Sequence, residues 1–143
     1  MKIDQIIDMW TEDCQIDLAD LSNETVKSAK LQSKYLSLLS AEKIKLRVMT
    51  KNFKELRHEK REFLINPTDE GIEKGWNIPP KGRLLKNEVE EYISGDKEIL
   101  DAELKVGIQT EKVELLKAIV DSLNRRTYAI KNILDDRRFM HGG

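Results

Sequence analysis

Basic side chains are concentrated between Lys43 and Arg61, where their types and spacing suit the binding of phosphate groups. This stretch holds eight Lys or Arg residues and only two acids, Glu55 and Glu59. At about 100° per residue on an α-helix, a subset of its positions falls within an arc of about 80°. These positions, which we call the basic stripe, are Lys43, Arg47, Lys51, Lys54, His58 and Arg61. Rows of long cationic side chains of this kind contact nucleic-acid backbones.

The basic stripe admits three interpretations. Few carboxylates lie at i,i+4 positions on the same face, so repulsion between these cations is largely uncompensated within the helix. A polyanion would relieve it, because each neutralised phosphate releases counterions and makes the affinity salt-dependent. An acidic helix of another subunit is the second interpretation, and a purely solvated face is the third. Few Asn or Gln side chains are placed to read base edges, so the nucleic-acid interpretation predicts sequence-independent binding to single strands or duplex backbone.

The charges of the whole chain cancel in total but are sorted by position. The 143 residues include 25 basic and 26 acidic side chains, and the net charge of −1 at pH 7 excludes a histone-like polycation. Residues 83–120 hold nine acids against six bases. The C-terminal part is basic again, at Arg125, Arg126, Lys131, Arg137 and Arg138. This sorted distribution fits a self-assembling DNA-binding protein.

Residue types that support catalysis or metal binding are sparse. The single cysteine, Cys14, has no partner, and His58 and His141 are too far apart for a metal-ligand motif. None of the seven Gly residues belongs to a phosphate-binding Gly-rich loop. The N-terminus does not read as a signal peptide, and no segment approaches the apolar run of about 18 residues that spans a membrane. We therefore expect an intracellular protein without enzymatic activity, catalytic residues, cofactor, metal or membrane association.

Hydrophobic spacing predicts an all-α fold in which long amphipathic helices form a bundle. A short first helix is indicated by apolar residues at i, i+3, i+4 and i+7. These residues are Ile3, Ile6, Ile7 and Trp10. The following segment, 24–64, contains no Gly or Pro, and Ser22 can cap its start. It predicts a helix about 60 Å long.

This long helix carries an apolar stripe whose members step by threes, fours and sevens. They are Leu31, Tyr35, Leu39, Leu46, Met49, Phe53, Leu56 and Phe63. Glu42 interrupts the stripe, and the step from 56 to 63 skips Lys60. A helix of this length cannot bury such a stripe within itself, so it needs an antiparallel partner or other subunits.

Residues 66–82 break the helical pattern with the dipeptides Asn-Pro and Pro-Pro and predict a long loop. Trp76 in this loop is either a plug of the core or a contact surface. A short helix is expected over about 83–93, and Ser-Gly follows it.

A second long helix, over about 96–139, carries a regular 3-4 apolar alternation that we assign to assembly between subunits. The assigned residues are Ile99, Val106, Val113, Leu116, Val120, Leu123, Ile130 and Leu134. A second apolar line widens the face, which favours a self-assembling helical bundle over a compact monomer. Its members are Leu100, Leu104, Ile108, Leu115 and Ile119.

The predicted elements divide the chain into three regions. Residues 1–65 form an N-terminal helical region that carries the basic stripe. Residues 66–95 form the loop and the short helix, and residues 96–143 form the C-terminal long helix for oligomerisation.

Several short motifs resemble the UvsY recombination mediators of T-even-type phages. In the N-terminal half these are Ile16-Asp17 and Leu31-x-Ser33-Lys34-Tyr35-Leu36. In the C-terminal half they are Ser94-x-Asp96-Lys97-x-Ile99-Leu100 and Arg125-x-x-Tyr128-Ala129-Ile130-Lys131-x-Ile133. The similarity covers most of the chain except residues 66–90, and the order and spacing of the motifs make it fairly specific.

The resemblance implies a ring-shaped homo-oligomer of six or seven subunits that binds single-stranded DNA. Such mediators help to load a RecA-like recombinase onto DNA covered by a single-strand-binding protein, with no catalysis of their own. They act in the cytoplasm of the infected bacterial host. The C-terminal helix resembles the family's assembly element.

The family's DNA-contacting basic pair lies in a Lys-Ala-Arg-Leu motif at the end of the first long helix, where this chain has Arg57-His58-Glu59-Lys60-Arg61. The resemblance thus adds Arg57 and Lys60, which lie outside the basic stripe, to the candidate DNA-binding residues. The expected DNA-binding set is Lys43, Arg47, Lys51, Lys54, Arg57, His58, Lys60 and Arg61.

The alternative is a structural helical-bundle assembly or adaptor protein without nucleic-acid binding, whose basic stripe docks on the acidic segment of a neighbouring subunit. An enzyme with an unrecognised site is a third class, which no motif supports.

Overall fold

A computed structural model of the chain describes residues 1–142, which fold into five α-helices with no β-strand among them. The helices are α1 (Ile3–Asp13), α2 (Leu21–Ile65), α3 (Asp69–Glu73), α4 (Lys86–Ser94) and α5 (Lys97–Met140). The predicted all-α class and the two long helices are confirmed. The segment predicted as a loop over 66–82 contains α3, a short helix that the sequence pattern did not indicate.

Helix α2 runs for 45 residues between two polar boundaries. Asp20, rather than Ser22, caps its start: the Asp20 carboxylate accepts a hydrogen bond from the backbone N–H of Asn23 at 3.2 Å. Such a cap satisfies one of the backbone donors that the first helical turn leaves unpaired. The helix ends at Ile65, just before Asn66-Pro67, because the residue before a proline is disfavoured in the helical region.

The chain divides into two compact units, and both long helices contribute to each. The first unit combines Met1–Ile44 with the chain from Thr110 onward, and the second unit is Lys45–Gln109. This division differs from the three sequence regions. Its boundaries fall inside helices, where composition and turn residues give no signal.

The first unit is built around Tyr35, which is fully buried. The Tyr35 ring packs edge-on against Trp10 with the ring centroids 5.4 Å apart, and its hydroxyl donates to Asp13 at 2.8 Å. Partial burial of Asp13 opposes its ionisation, but hydrogen bonds from Lys34 and Tyr35 outweigh it and hold the pKa of the carboxyl below its usual value. Burial and the bond to Asp13 raise the pKa of Tyr35.

A buried arginine also holds the first unit together. Arg126 of α5 forms an ion pair with Glu24 at the start of α2, and both side chains are buried. The same guanidinium donates to the backbone carbonyls of Asp13 and Gln15, at 3.2 and 3.3 Å. One side chain thereby joins the end of α1, the start of α2 and the middle of α5.

The second unit has its own apolar core. Its buried members are Leu84, Val89, Ile93 and Ile99, with Phe53, Leu56, Leu64 and Ile65 packed against them. Trp76 packs edge-on against Phe63 at a centroid distance of 5.5 Å, and its indole N–H donates to Glu98 at 3.3 Å. Trp76 is half-buried, so it packs on the core through Phe63 while part of its ring stays at the surface.

The two polar positions that disturb the apolar stripe of α2 are both buried and both paired. Glu42 lies 3.8 Å from the ammonium of Lys112, and Lys60 lies 2.8 Å from Asp96. A buried charge is costly unless an opposite charge compensates it. Each interruption therefore marks an ion pair within one of the units.

The residues assigned to the subunit interface lie instead inside the chain's own fold. Six of the eight are buried, namely Ile99, Val113, Leu116, Val120, Leu123 and Ile130. Val106 and Leu134 are half-buried. A 3-4 alternation indicates that a helix packs on a neighbour, but it does not say whether the neighbour belongs to the same chain. The second apolar line is different, because three of its members, Leu100, Leu104 and Ile108, are exposed.

Candidate nucleic-acid interface

The basic stripe lies along α2 as the helical periodicity requires. Five of its side chains are exposed and Arg61 is half-buried. The apolar stripe of the same helix turns toward the cores, which leaves the cations at the surface. Lys45 is a further exposed cation of this segment, but its position falls outside the arc.

Most of the stripe has no fixed counter-charge. Within residues 1–142, Lys43, Arg47, Lys54 and His58 form no ion pair. Lys51 pairs with Glu55 one turn later at 3.6 Å, and both side chains are largely exposed. Exposed pairs of this type are weak and exchange readily with other ions. The middle of the stripe is therefore available to an anionic ligand.

Near the C-terminal end of α2 the cations have carboxylate partners. Arg57 and Arg61 both contact Glu90 of α4, one at each carboxylate oxygen, and the Arg57 contact measures 2.9 Å. Glu90 is 33 positions from Arg57 along the chain. Glu90 lies outside α2, so the i,i+4 pattern of that helix does not predict this contact. The only sequence signal for it is the excess of acidic residues over 83–120.

Lys60 does not share the surface of the other seven candidates. Its side chain is 10% exposed, and its ammonium lies 2.8 Å from Asp96 and 2.7 Å from Glu98. It also lies 5.4 Å from the centre of the Trp76 ring. Burial by itself would lower the pKa of Lys60, but the hydrogen bonds to Asp96 and Glu98 outweigh it and raise the pKa. Lys60 is therefore a buried, ion-paired part of the second unit rather than an exposed cation.

A shallow cleft of about 560 Å³ accompanies the middle of the stripe. Leu46 and Thr50 line it together with three cations and one acid, namely Arg47, Lys51, Lys54 and Glu55. The surface thus offers apolar area beside positive charge, which suits an anionic polymer that also carries apolar groups.

Other kinds of site find little support. Among residues 1–142, no group of three His, Cys, Asp or Glu side chains could hold a metal ion. None of the described helices is both long enough and apolar enough to cross a membrane.

Two of the C-terminal basic residues are engaged within the fold. Arg126 is buried in the first unit, and Arg137 donates to the backbone carbonyl of Leu18 at 3.2 Å.

An all-α scaffold that presents a row of weakly compensated cations is typical of proteins that bind the backbone of nucleic acids. The family model described as "Recombination, repair and ssDNA binding protein UvsY" matches residues 9–143. The chain belongs to the UvsY family, and the resemblance noted from its motifs is confirmed. Members of this family act in recombination and repair and bind single-stranded DNA.

Solved structures agree with the family assignment at the level of the fold. The chain is similar to the recombination mediator protein UvsY of bacteriophage T4, with a TM-score of 0.83 and 21% identity over 99% of this chain and 98% of that one. A second crystal lattice of the same T4 protein matches with a TM-score of 0.78 and 22% identity, over 95% and 98% of the two chains. A search of curated proteins gave no significant match.

Proposed function

We propose that this protein is a recombination mediator that binds single-stranded DNA through the basic stripe, without reading its sequence. It promotes the loading of a RecA-like recombinase onto DNA covered by a single-strand-binding protein, in the cytoplasm of the infected bacterial host. It performs no catalysis and needs no cofactor. Membership of the UvsY family supports this proposal, and the observation that carries it is the exposed, largely unpaired row of cations on α2.

The spacing of the stripe suits a flexible polyanion. Successive cations are three or four residues apart, or about 4.5 to 6 Å along the helix axis. A strand that follows the helix can therefore place several phosphates against it. The long Lys and Arg side chains tolerate variation in the path of the strand, and contact with phosphates rather than base edges makes binding independent of sequence. Lys60 takes no part, because its ammonium is already held by two carboxylates.

A single stripe provides few contacts, so assembly matters to the proposed function. Copies joined in a ring of six or seven subunits would bind one strand at many points, and each further contact would form at high effective concentration. We place the seam between subunits on the exposed apolar line of α5, formed by Leu100, Leu104 and Ile108. These residues are 46%, 63% and 47% exposed, whereas the stripe first assigned to assembly is mostly buried within one chain.

Charge reversal on the stripe tests the DNA-binding surface. We expect Arg47→Glu combined with Lys54→Glu to weaken binding of labelled single-stranded DNA at least about tenfold at about 50 mM salt, measured by fluorescence anisotropy. The matched control combines Lys30→Glu with Lys45→Glu. It makes the same charge change at exposed positions of α2 outside the arc, and we expect a much smaller loss.

Two results would contradict the proposal. The first is that the assembled wild-type protein fails to bind single-stranded DNA at about 50 mM salt. The second is that the control pair of substitutions weakens binding as much as the stripe pair. Sedimentation of the stripe variant distinguishes the alternative of a structural adaptor. If the basic stripe docked on an acidic segment of a neighbouring subunit, the same two substitutions would dissociate the oligomer.

A further inference from the structure

Glu90 lies beside the C-terminal end of the basic stripe, where it contacts Arg57 and Arg61. One of its carboxylate oxygens lies 2.9 Å from a terminal nitrogen of Arg57, and the other contacts Arg61. The two arginines are one helical turn apart on α2, so their guanidinium groups converge on a single anion. The side chains of Glu90, Arg57 and Arg61 are 54%, 44% and 35% exposed.

The packing of α4 fixes which of its acids reaches the arginines. Val89 and Ile93 are buried in the core of the second unit and hold the helix in place. Glu88 pairs with Lys81 at 2.8 Å, and Glu91 is exposed and forms no ion pair within residues 1–142. Among the three acids of α4, Glu90 alone is directed at cations of the stripe. A rigid element therefore presents this carboxylate to the binding surface.

The contact is of a kind that a phosphate can replace. Guanidinium groups bind carboxylate and phosphate oxygens with the same geometry. Ion pairs between solvated side chains are weak, since water screens the attraction between them. The contacts of Lys60 are different, because its ammonium is 10% exposed and has two carboxylate partners. The Glu90 contacts are exchangeable, whereas the Lys60 contacts are structural.

We infer that Glu90 is a built-in competitor of the DNA backbone: its carboxylate occupies the Arg57–Arg61 clamp in the DNA-free protein, and a backbone phosphate displaces it when a strand binds. The inference rests on the proposed function. Because Glu90 stays tethered beside the clamp, it reclaims both arginines as soon as the phosphate leaves. Glu90 thus holds the affinity for DNA below the value that the cations alone would give, which suits a protein that must pass the strand on.

Neutralising Glu90 without changing its shape tests this role. We expect Glu90→Gln to tighten the binding of labelled single-stranded DNA about two- to tenfold at about 50 mM salt, as the loss of two weak competing pairs implies. The slope of log affinity against log salt should stay near the wild-type value, because in both complexes a phosphate occupies the clamp and the number of neutralised phosphates is the same. Glu91→Gln makes the same charge change on the same helix and should leave both quantities near their wild-type values.

A double-mutant comparison shows whether the gain passes through the clamp. We expect the combined change of Arg57→Gln and Arg61→Gln to weaken binding more in the Glu90→Gln background than in the wild-type background. Far-UV circular dichroism and sedimentation check that each variant keeps its fold and assembly. Should Glu90→Gln disturb either, Glu90→Asp provides the second test. Aspartate keeps the charge but is one methylene shorter, so it should reach the arginines less well. It should raise the affinity for DNA by a smaller factor than Glu90→Gln does.

The outcomes separate this inference from the proposed function. If wild-type protein binds DNA but Glu90→Gln binds no more tightly than Glu91→Gln, the competitor role is wrong and the proposed function stands. Weaker binding by Glu90→Gln would also overturn it, because Glu90 would then position the arginines for DNA rather than compete with it. If wild-type protein binds no DNA, the proposed function fails together with the inference.

Discussion

Asp13 shows how one carboxylate can secure the end of a helix. It is the last residue of α1, and it accepts hydrogen bonds from Lys34 at 2.7 Å and from Tyr35 at 2.8 Å, both on α2. Partial burial disfavours the charged form, yet these donors stabilise it more and lower the pKa of Asp13. The folded state therefore holds Asp13 ionised at pH values where the unfolded chain has begun to bind a proton.

The stability of the protein should depend on pH through this residue. A carboxyl whose pKa is lowered by folding contributes stability above its unfolded value, here 3.8, and loses it as the pH falls through the folded pKa. We expect Asp13→Asn to lower the free energy of unfolding by about 1 to 2 kcal/mol at pH 7. The difference from wild type should shrink as the pH falls below about 4.

Urea unfolding at fixed protein concentration, repeated at several pH values, measures this difference. Asp8→Asn is a suitable control, because Asp8 is an exposed acid of α1 that forms no ion pair within residues 1–142. A deficit of Asp13→Asn that stayed constant from pH 7 to pH 3 would show that the contact does not depend on the charge of Asp13.

The short helix α3 is docked by a close contact at Gly71. A Cβ atom added there would lie 2.3 Å from the ring of Phe63. This ring is buried and packs against Trp76, so it has little room to move. The absence of a side chain at Gly71 allows the segment after α2 to fold back onto the end of that helix.

Two glycine substitutions should have opposite effects on stability. We expect Gly71→Ala to lower the free energy of unfolding by about 1 to 3 kcal/mol, because the added methyl group must displace Phe63 or α3. Gly107→Ala, in the exposed interior of α5, has no atom within 4 Å of the added methyl. It should raise stability by about 0.5 to 1 kcal/mol through helix propensity alone. Urea unfolding of both variants measures the contrast, and equal effects would refute the docking role of Gly71.

The long helices were predictable because their apolar residues keep a helical period for many turns. Helix α3 was not, since five residues that include a glycine are too short to show any period. The exposed face of α2 could likewise be read from the arc of its cations. Glu90 could not, because its contacts with α2 come from a separate helix and depend on how α4 packs. Periodicity identifies the face of a helix but not the residues that another element brings against it.

The proposed assembly of subunits would use apolar residues that remain exposed once the chain has folded. Val113 and Leu116 belong to the buried core, so a charge at either position would be expected to unfold the first unit. Leu100, Leu104 and Ile108 follow one another at intervals of four residues on α5 and are exposed. Residues at such intervals share one helix face, and a contiguous exposed apolar patch marks an interaction surface.

Charges placed on this line should therefore separate the subunits without unfolding them. We expect Leu104→Glu combined with Ile108→Glu to reduce the sedimentation coefficient toward that of a single chain while the far-UV circular dichroism stays unchanged. DNA affinity and its salt dependence should fall together, because one strand would then meet one stripe instead of several. Leu85→Glu is the control, since Leu85 is 66% exposed and lies outside the line. An oligomer of unchanged size in the double variant would place the seam elsewhere on the chain.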